Sequence, residues 1–270
     1  MSRKSLACPF LLWIACGTVI PLAVIAFYGF TDRSGTFTWD NILAIFSPEH
    51  AQALGLSLLL AGISTVICFL LAFPLALILK DSKLGQKGFM IFIFILPMWM
   101  NFLLRTMAWQ VLLEKSGPIN AILTGVGLPA LEIINTPAAI VLGMVYDFLP
   151  FMVLPIYNTL VKIDPHIIEA AYDLGATKKR VLFDVLLPLS IPGIASGVTM
   201  VFVPALTTFV ISNMLGGGKI HLIGNIIEQE FTTSANWNLG SGLSLVMMFF
   251  IVLSMAALSK LDKDGEGSLL

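Results

Sequence analysis

Long apolar stretches alternate with short polar segments along the whole chain. Six of these stretches are long enough to cross a bilayer as a helix, which takes about 20 residues. They run over residues 8–30, 52–79, 89–113, 137–160, 186–212 and 240–259. Because only helices and closed barrels satisfy the backbone in lipid, the pattern predicts an all-α membrane protein. We expect residues 1–270 to form a single domain with six transmembrane helices.

The first and fifth apolar stretches have features of their own. Arg3 and Lys4 precede the first stretch, as in a signal peptide, but the run is long and no cleavage site follows it cleanly. We therefore predict an uncleaved first span. The fifth stretch contains Pro188, Pro192 and Pro204 together with glycines, so we expect it to be kinked and closely packed.

Composition supports a location in the membrane. Hydrophobic residues make up 57% of the chain and charged residues only 11%, whereas a soluble domain is about 25% charged. The net charge of −1 gives no indication of a nucleic-acid partner. The cysteines lie in apolar runs and the histidines are scattered, so we expect neither a disulfide nor a metal site. No arrangement of reactive side chains indicates an enzyme.

Positive charges are distributed unevenly between the segments that connect the spans. If the N-terminus is inside, the outer segments hold three of the 15 lysines and arginines, Arg33, Lys115 and Lys219. Arg105 lies within the third span, and the rest are on the inner side. Because lysine and arginine are enriched in cytoplasmic loops, both termini of this multi-pass cell-membrane protein are predicted to be cytoplasmic.

The third outer segment, 213–239, contains a glycine run followed by Lys219, which suggests a phosphate-binding loop. Asn213 stands where the first glycine of that motif belongs, and Ile220 replaces its serine or threonine. We therefore predict a flexible outer turn, and we do not expect this chain to hydrolyse ATP by itself.

A long polar interruption in the second half of the chain spans residues 164–188. Asp164 can cap a helix, and Pro165 suits the first turn of that helix. Gly175 is placed to end the helix in a left-handed conformation, and Thr177 can cap a second helix that runs towards Pro188. The pattern predicts a helical hairpin between two spans. Such a hairpin binds a protein or the lipid surface, or is simply solvated.

The spacing within this hairpin resembles the docking signature of ABC importer permeases. Glu169-Ala170-Ala171 is followed after three residues by Gly175, and Val185-Leu186-Leu187-Pro188 stands where that family has Ile-x-Leu-Pro. The resemblance implies that a coupling helix docks into a cleft on a separate ATPase, through Glu169, Ala170, Ala171, Gly175, Leu187 and Pro188. It also implies that ATP and magnesium bind to the partner ATPase, and that this chain needs no cofactor and has no catalytic site.

Two ionisable residues fall within predicted spans, where charges usually face a pathway or a partner. Asp147 is about ten residues into the fourth span, hence roughly 15 Å deep, beside Tyr146 and Phe148. A carboxylate next to aromatic rings suits an organic cation, although a structural bond to a neighbouring helix is the alternative. Arg105 is about 16 residues into the third span, roughly 24 Å deep, and a structural role is favoured for it. A direct Arg105–Asp147 pair is possible, but these depths differ by several ångströms.

Three further stretches resemble spermidine/putrescine permeases, and the last of them resembles the B-type half of the pair. They are Leu96-Pro97-Met98-Trp99-Met100-Asn101 with Arg105, the run from Leu149 to Pro155, and Ser212 to Gly218 with Leu222-Ile223-Gly224-Asn225. The resemblance implies a type I importer permease that carries polyamines and has six spans. It also implies a sister permease, an ATPase dimer inside the cell and an external substrate-binding protein.

In that arrangement the fifth span lines the substrate path. The predicted path residues are Asp147, Tyr146, Trp99, Phe202, Thr208, Phe209, Ser212 and Asn213. The alternative for the aromatic members is that they only pack between helices. Other substrates, such as ferric iron or an opine, remain open for the same type of permease. A proton-coupled secondary transporter that uses Asp147 is a further alternative.

Overall fold

The computed structural model describes residues 13–82, 96 and 98–267. Parts of the predicted first and third spans, residues 8–12, 89–95 and 97, lie outside the described residues. The described chain is mostly helical and contains no β-strand, only an isolated bridge between Thr31 and Phe37. The predicted all-α class is therefore confirmed for the described residues.

The helices follow one another in a simple order. They are α1 (Ile20–Gly29, after a π-helical turn Ala15–Val19), α2 (Asp40–Leu43), α3 (Pro48–Asp81), α4 (Phe102–Leu113), α5 (Pro118–Gly125), α6 (Pro137–Lys162), α7 (Pro165–Asp173), α8 (Lys178–Arg180), α9 (Leu187–Leu189), α10 (Ile191–Thr207), α11 (Val210–Leu215), α12 (Ile223–Thr232) and α13 (Trp237–Gly267). A 3₁₀ turn, Ala44–Phe46, follows α2, and a π-helical segment, Val181–Leu186, joins α8 to α9.

Among the described residues, three helices are long and apolar enough to cross a membrane: α3, α6 and the Trp237–Leu258 part of α13. They correspond to the predicted second, fourth and sixth spans. A fourth crossing is available if Lys178–Leu189 and Ile191–Thr207, which meet at 65°, form one bent span. The shorter apolar helix Ala15–Gly29 lies in the predicted first span. The total of six spans remains a prediction.

The core forms where α3, α6 and α10 pack against one another. Small residues allow the close approach: a Cβ on Gly197 would lie 2.7 Å from the sulfur of Met152, and one on Gly193 would lie 2.7 Å from the Pro155 carbonyl oxygen. A Cβ at Gly193 would collide with this backbone oxygen, and one at Gly197 would force the Met152 side chain to shift, so α10 lies close against α6 at both glycines. The predicted kinking and close packing of the fifth span are confirmed.

The first apolar helix is fastened to the last one. α13 packs along α1, and the buried Asn238 donates from Nδ2 to the Thr31 carbonyl at 2.7 Å. Asn41 donates to the same carbonyl from α2 at 2.8 Å. These bonds tie the start of the bundle to its end on the side where α3 and α6 begin.

Candidate functional site

The 164–188 hairpin has the local structure that its sequence predicts. The Asp164 carboxylate accepts a hydrogen bond from the His166 N–H at 3.0 Å, and α7 starts at Pro165. Gly175 has φ +82°. The Thr177 hydroxyl accepts from the Arg180 N–H at 3.4 Å and starts the second helical segment. That segment is not one regular α-helix, because a π-helical stretch separates α8 from α9.

The hairpin turns a mostly unpartnered surface away from the bundle. No residue of α7 is buried, and Leu174 at its end is 89% exposed. Tyr172 and Ile167 are also exposed, so this short helix presents apolar side chains that nothing in the described chain covers. Glu169 is exposed as well and pairs with His166 at 3.2 Å. An apolar surface of this kind is typical of a contact with another molecule.

The six predicted docking residues fall into two groups, four in or just after α7 and two in α9. Glu169, Ala170 and Gly175 are exposed around α7, with Ala171 half-buried beside them. Leu187 and Pro188 lie in α9, directly before the 65° bend into α10. The hairpin is therefore continuous, through this bend, with the helix that packs against the core.

Arg105 and Asp147 form a buried ion pair between α4 and α6. Arg105 Nη2 lies 3.3 Å from Asp147 Oδ1, and the side chains are 7% and 1% exposed. The Thr106 hydroxyl donates to Asp147 Oδ2 at 3.3 Å. The several-ångström difference in depth expected from the sequence is therefore wrong. That expectation counted residues along a continuous third span, whereas α4 begins only at Phe102, behind the cap formed by Asn101.

A break in the predicted fifth span gathers four of the predicted path residues. α10 ends at Thr207, Thr208 is extended with ψ 138°, and a new helix begins at Val210. Phe209 and Asn213 are exposed at this break, whereas Thr208 and Ser212 are buried. An interrupted helix leaves backbone groups without intrahelical partners, which must be satisfied by other parts of the protein.

Asn225 of α12 forms hydrogen bonds to residues at this break, and the neighbouring Gly224 allows α12 to approach it. Asn225 is fully buried; its Nδ2 donates to the Phe209 carbonyl at 3.1 Å and to Asn213 Oδ1 at 2.6 Å. Its Oδ1 accepts from the Ser212 hydroxyl at 2.6 Å. A Cβ on Gly224 would lie 2.7 Å from the Thr207 carbonyl oxygen, so glycine is needed for this approach. We call Gly224 and Asn225 the span-five latch.

Helix α12 departs from the sequence prediction. We expected residues 213–239 to form an outer loop with a flexible turn, but α11 extends to Leu215 and α12 folds back so that residues 223–226 are buried. Ile223, Ile226 and Ile227 recur at helical spacing, and this periodicity could have revealed the helix.

The remaining predicted path residues do not join this cluster directly. Tyr146 is half-exposed, and its ring lies edge-on to Trp109 at 5.3 Å, whereas the neighbouring Asp147 points into the ion pair. Phe202 is half-buried against the core, and Trp99 is 75% exposed ahead of α4. α11 packs against both α4 and α6, so the break and the ion pair are in adjoining elements.

Comparisons with known proteins identify relatives over almost the whole chain. Residues 10–263 match the family described as "Binding-protein-dependent transport system inner membrane component". The chain is 35% identical over 266 residues to the spermidine/putrescine transport system permease protein PotB of Haemophilus influenzae, covering 94% of this chain and 93% of that protein. It is 32% identical to PotB of Escherichia coli K12, covering 94% and 97%.

Solved structures share the fold at lower sequence identity. A bacterial ABC transporter involved in the import of the acidic polysaccharide alginate superposes with a TM-score of 0.79 at 17% identity, over 97% of this chain and 94% of that one. The same kind of transporter in complex with an alginate-bound periplasmic protein gives 0.78 at 15% identity, over 94% and 91%. The MetNI methionine ABC transporter gives 0.57 at 18% identity, over 80% and 95%. Together with the family match, these likenesses show that the chain belongs to the family of binding-protein-dependent transport system inner membrane components, the permease subunits of ABC transporters.

Proposed function

We propose that this chain is the membrane subunit of an ATP-driven importer that carries polyamines such as spermidine and putrescine into the cytoplasm. The observation that carries the proposal is the similarity to PotB permeases over nearly the full length of both chains. The similarity favours a polyamine over ferric iron or an opine. Family membership favours coupling to ATP over coupling to a proton gradient.

The hairpin is the proposed contact with a dimer of separate ATPase subunits, which bind ATP and magnesium. Tyr172, Leu174 and Ile167 give it an uncovered apolar surface next to Glu169, as expected of a helix that enters a cleft on a partner. Leu187 and Pro188 connect this surface to the bend before α10. Movement of the docked hairpin would then be transmitted to the broken fifth span through short helical segments.

The proposed substrate path runs along the span-five break, where Phe209 and Asn213 are exposed. The sister permease would form the other side of this path, and an external binding protein would deliver the substrate. A related fold is found with a substrate-loaded periplasmic protein, which supports this kind of partner. We infer that Asp147 has a structural role in its ion pair with Arg105. Its carboxylate is 1% exposed and already has a cationic partner, so it is not available to bind a substrate cation.

Orientation follows from the charge distribution. We propose six spans with both termini in the cytoplasm, which places the hairpin on the side where ATP is available. The arginine and lysines at residues 178–180, all exposed in the structure, fit a position on the cytoplasmic side.

The direct test is uptake of labelled spermidine by cells that lack this chain but retain its partner subunits. Complementation with the wild-type chain is expected to restore uptake, and Glu169→Lys is expected to abolish it at an equal level in the membrane. Co-purification of the ATPase with each variant separates loss of docking from loss of transmission. Failure of the wild-type chain, with its partners present, would exclude spermidine as the substrate.

A further inference from the structure

A cavity of about 540 Å³ adjoins the span-five break. Helix α1, the break itself, α12 and α13 each contribute to its wall. Phe209 and Thr207 come from the break, Phe231 from α12, and Met247 and Met248 from α13. Sites for small molecules are typically about 300–1,000 Å³ and mostly apolar, so this cavity has the size and character of such a site.

Glu228 is the one charged residue among the described residues that line this cavity. It is half-buried on α12, and its carboxylate accepts a hydrogen bond from the Thr232 hydroxyl at 3.2 Å. No described lysine, arginine or histidine forms an ion pair with it, in contrast to Asp147, which Arg105 neutralises. A carboxylate in apolar surroundings without a cation of its own is costly, and such groups commonly serve a ligand.

The remaining lining suits a flexible cation with an apolar backbone. Phe209 and Phe231 line the cavity, and aromatic rings attract ammonium groups. Met247, Met248 and Ile251 offer an apolar wall for methylene groups. The site therefore combines one anion, two aromatic rings and an aliphatic surface, which matches the alternating ammonium and methylene groups of a polyamine.

We propose that Glu228 binds an ammonium group of the transported polyamine in this cavity, with Phe209 and Phe231 beside it and the methylene chain against α13. The inference rests on the proposed function. It assigns to Glu228 the cation-binding role that the sequence suggested for Asp147. Glu228 is then a substrate-binding residue at the outer end of the path, next to the latch that holds the break.

The chain provides a matched control in Glu230, two residues further along α12. Its carboxylate also accepts a hydrogen bond from a hydroxyl four residues later, that of Ser234 at 3.3 Å, but it does not line the cavity. Glu228→Gln and Glu230→Gln thus remove the same charge and disturb the same kind of hydrogen bond. Only the first removes the proposed ammonium partner.

Spermidine uptake by complemented cells, at equal membrane levels, distinguishes the two roles. We expect Glu228→Gln to lower uptake about tenfold, Glu228→Lys to lower it further, and Glu228→Asp to retain an intermediate rate, because the effect follows the charge. Glu230→Gln should transport like the wild type. Equal uptake by Glu228→Gln and Glu230→Gln would overturn the inference and leave the proposed function intact, whereas no uptake by the wild type would overturn both.

A second measurement uses the wild-type chain, so it tests the assignment even if the Glu228 variants fail to assemble. Dicyclohexylcarbodiimide modifies carboxyl groups in apolar surroundings, and mass spectrometry of the peptide around α12 reports Glu228 and Glu230 separately. In membranes that contain the whole importer, spermidine is expected to slow modification of Glu228 but not of Glu230. An unchanged rate at Glu228 would show that spermidine does not shield this carboxylate and would refute the assignment.

Discussion

Arg105 and Asp147 are the two charged residues of predicted spans that the structure brings together. Each was recognisable in the sequence as a charge within an apolar span, and their side chains lie 3.3 Å apart in the interior. Arg105 Nε and Nη1 have no hydrogen-bond partner among the described residues, so the pair does not fully compensate the burial of its charges. Removing one member therefore leaves the other buried and unpaired, whereas removing both replaces a costly pair with apolar contacts.

We predict that Arg105→Met destabilises the protein by about 3–5 kcal/mol, because it leaves Asp147 with only the Thr106 hydroxyl. The double variant Arg105→Met, Asp147→Leu should recover most of that loss. Thermal unfolding of the detergent-solubilised protein, together with membrane levels, measures both effects. If the double variant is no more stable than Arg105→Met alone, Asp147 and Arg105 are not coupled in stability, and the structural role inferred for Asp147 is contradicted.

The pairing could not be predicted because it depends on where a helix begins. Depth along a span can be counted from sequence only if the helix is continuous, and α4 starts at Phe102 behind the Asn101 cap. The cap itself was available in the sequence, since asparagine is a strong N-cap residue. Hydropathy alone treats residues 89–113 as one continuous apolar run, and the depth was counted along that run.

At the scale of elements, the hairpin is the part that the sequence describes best. Its caps at Asp164 and Thr177 and its left-handed glycine at Gly175 are all local features, set by residues within one turn of each other. Helix α12 is the opposite case. Its burial depends on the break between α10 and α11, to which Asn225 is bonded across 13 and 16 residues. Hydropathy does not reveal such a break, so an expectation from hydropathy placed α12 in an outer loop.

Gly175→Ala tests whether the shape of the hairpin matters for transport. Gly175 has φ +82°, so alanine is strained there by about 1–2 kcal/mol although nothing lies within 4 Å of its Cβ position. Gly127 is a matched control in a different segment, with φ +81° and equally open surroundings. We expect Gly175→Ala to reduce spermidine uptake several-fold and Gly127→Ala to leave it unchanged. If the two variants take up spermidine equally, the conformation of the hairpin at Gly175 does not affect transport.

Asn225→Ala tests whether the span-five latch positions the path. Its loss removes the bonds to the Phe209 carbonyl and the Ser212 hydroxyl. It also leaves the buried Leu222 N–H without the Oδ1 acceptor that lies 2.9 Å away, at a cost of about 1–3 kcal/mol. Asn238→Ala is the control, because Asn238 is also a buried asparagine that donates to backbone carbonyls, but between α13 and the end of α1. We expect both to lose stability and only Asn225→Ala to change transport.

A direct readout of the break is thiol labelling of Phe209→Cys in a chain without its native cysteines. Asn225→Ala is expected to alter the labelling rate at residue 209, because the carbonyl of that residue is held by Asn225. Asn238→Ala should leave the rate as it is. Labelling that responds equally to both substitutions would mean that the latch only stabilises the bundle.

At the scale of the whole molecule, orientation is the property that connects the hairpin to its proposed partner. Arg33 lies in the exposed turn after α1 and Lys179 in the exposed hairpin, so a single cysteine at either position reports one side of the membrane. In intact cells an impermeant maleimide should label Arg33→Cys directly and Lys179→Cys only after permeabilisation. The reverse pattern would place the hairpin outside and exclude a cytoplasmic ATPase as its partner.

The overall architecture was predictable to the extent that it depends on hydropathy. Apolar runs gave the approximate positions of α3, α6 and α13, because each is one continuous helix that is long and apolar enough to cross a membrane. The fifth run was recognised as kinked from its prolines, but its division into α9, α10 and α11 was not. That division includes the 65° bend after α9 and the break that is bonded to the latch, and hydropathy reports neither of them.

The measurement that tests the central claim most directly is spermidine transport by the importer reconstituted in vesicles. This chain, its sister permease and the ATPase subunits are inserted in the vesicle membrane, with the binding protein on the opposite side from the ATP. We predict that spermidine crosses only when hydrolysable ATP and the binding protein are both present, and that Glu169→Lys abolishes the transport. Spermidine movement that is driven by a proton gradient without ATP, or that persists in Glu169→Lys at the wild-type rate, would contradict the account.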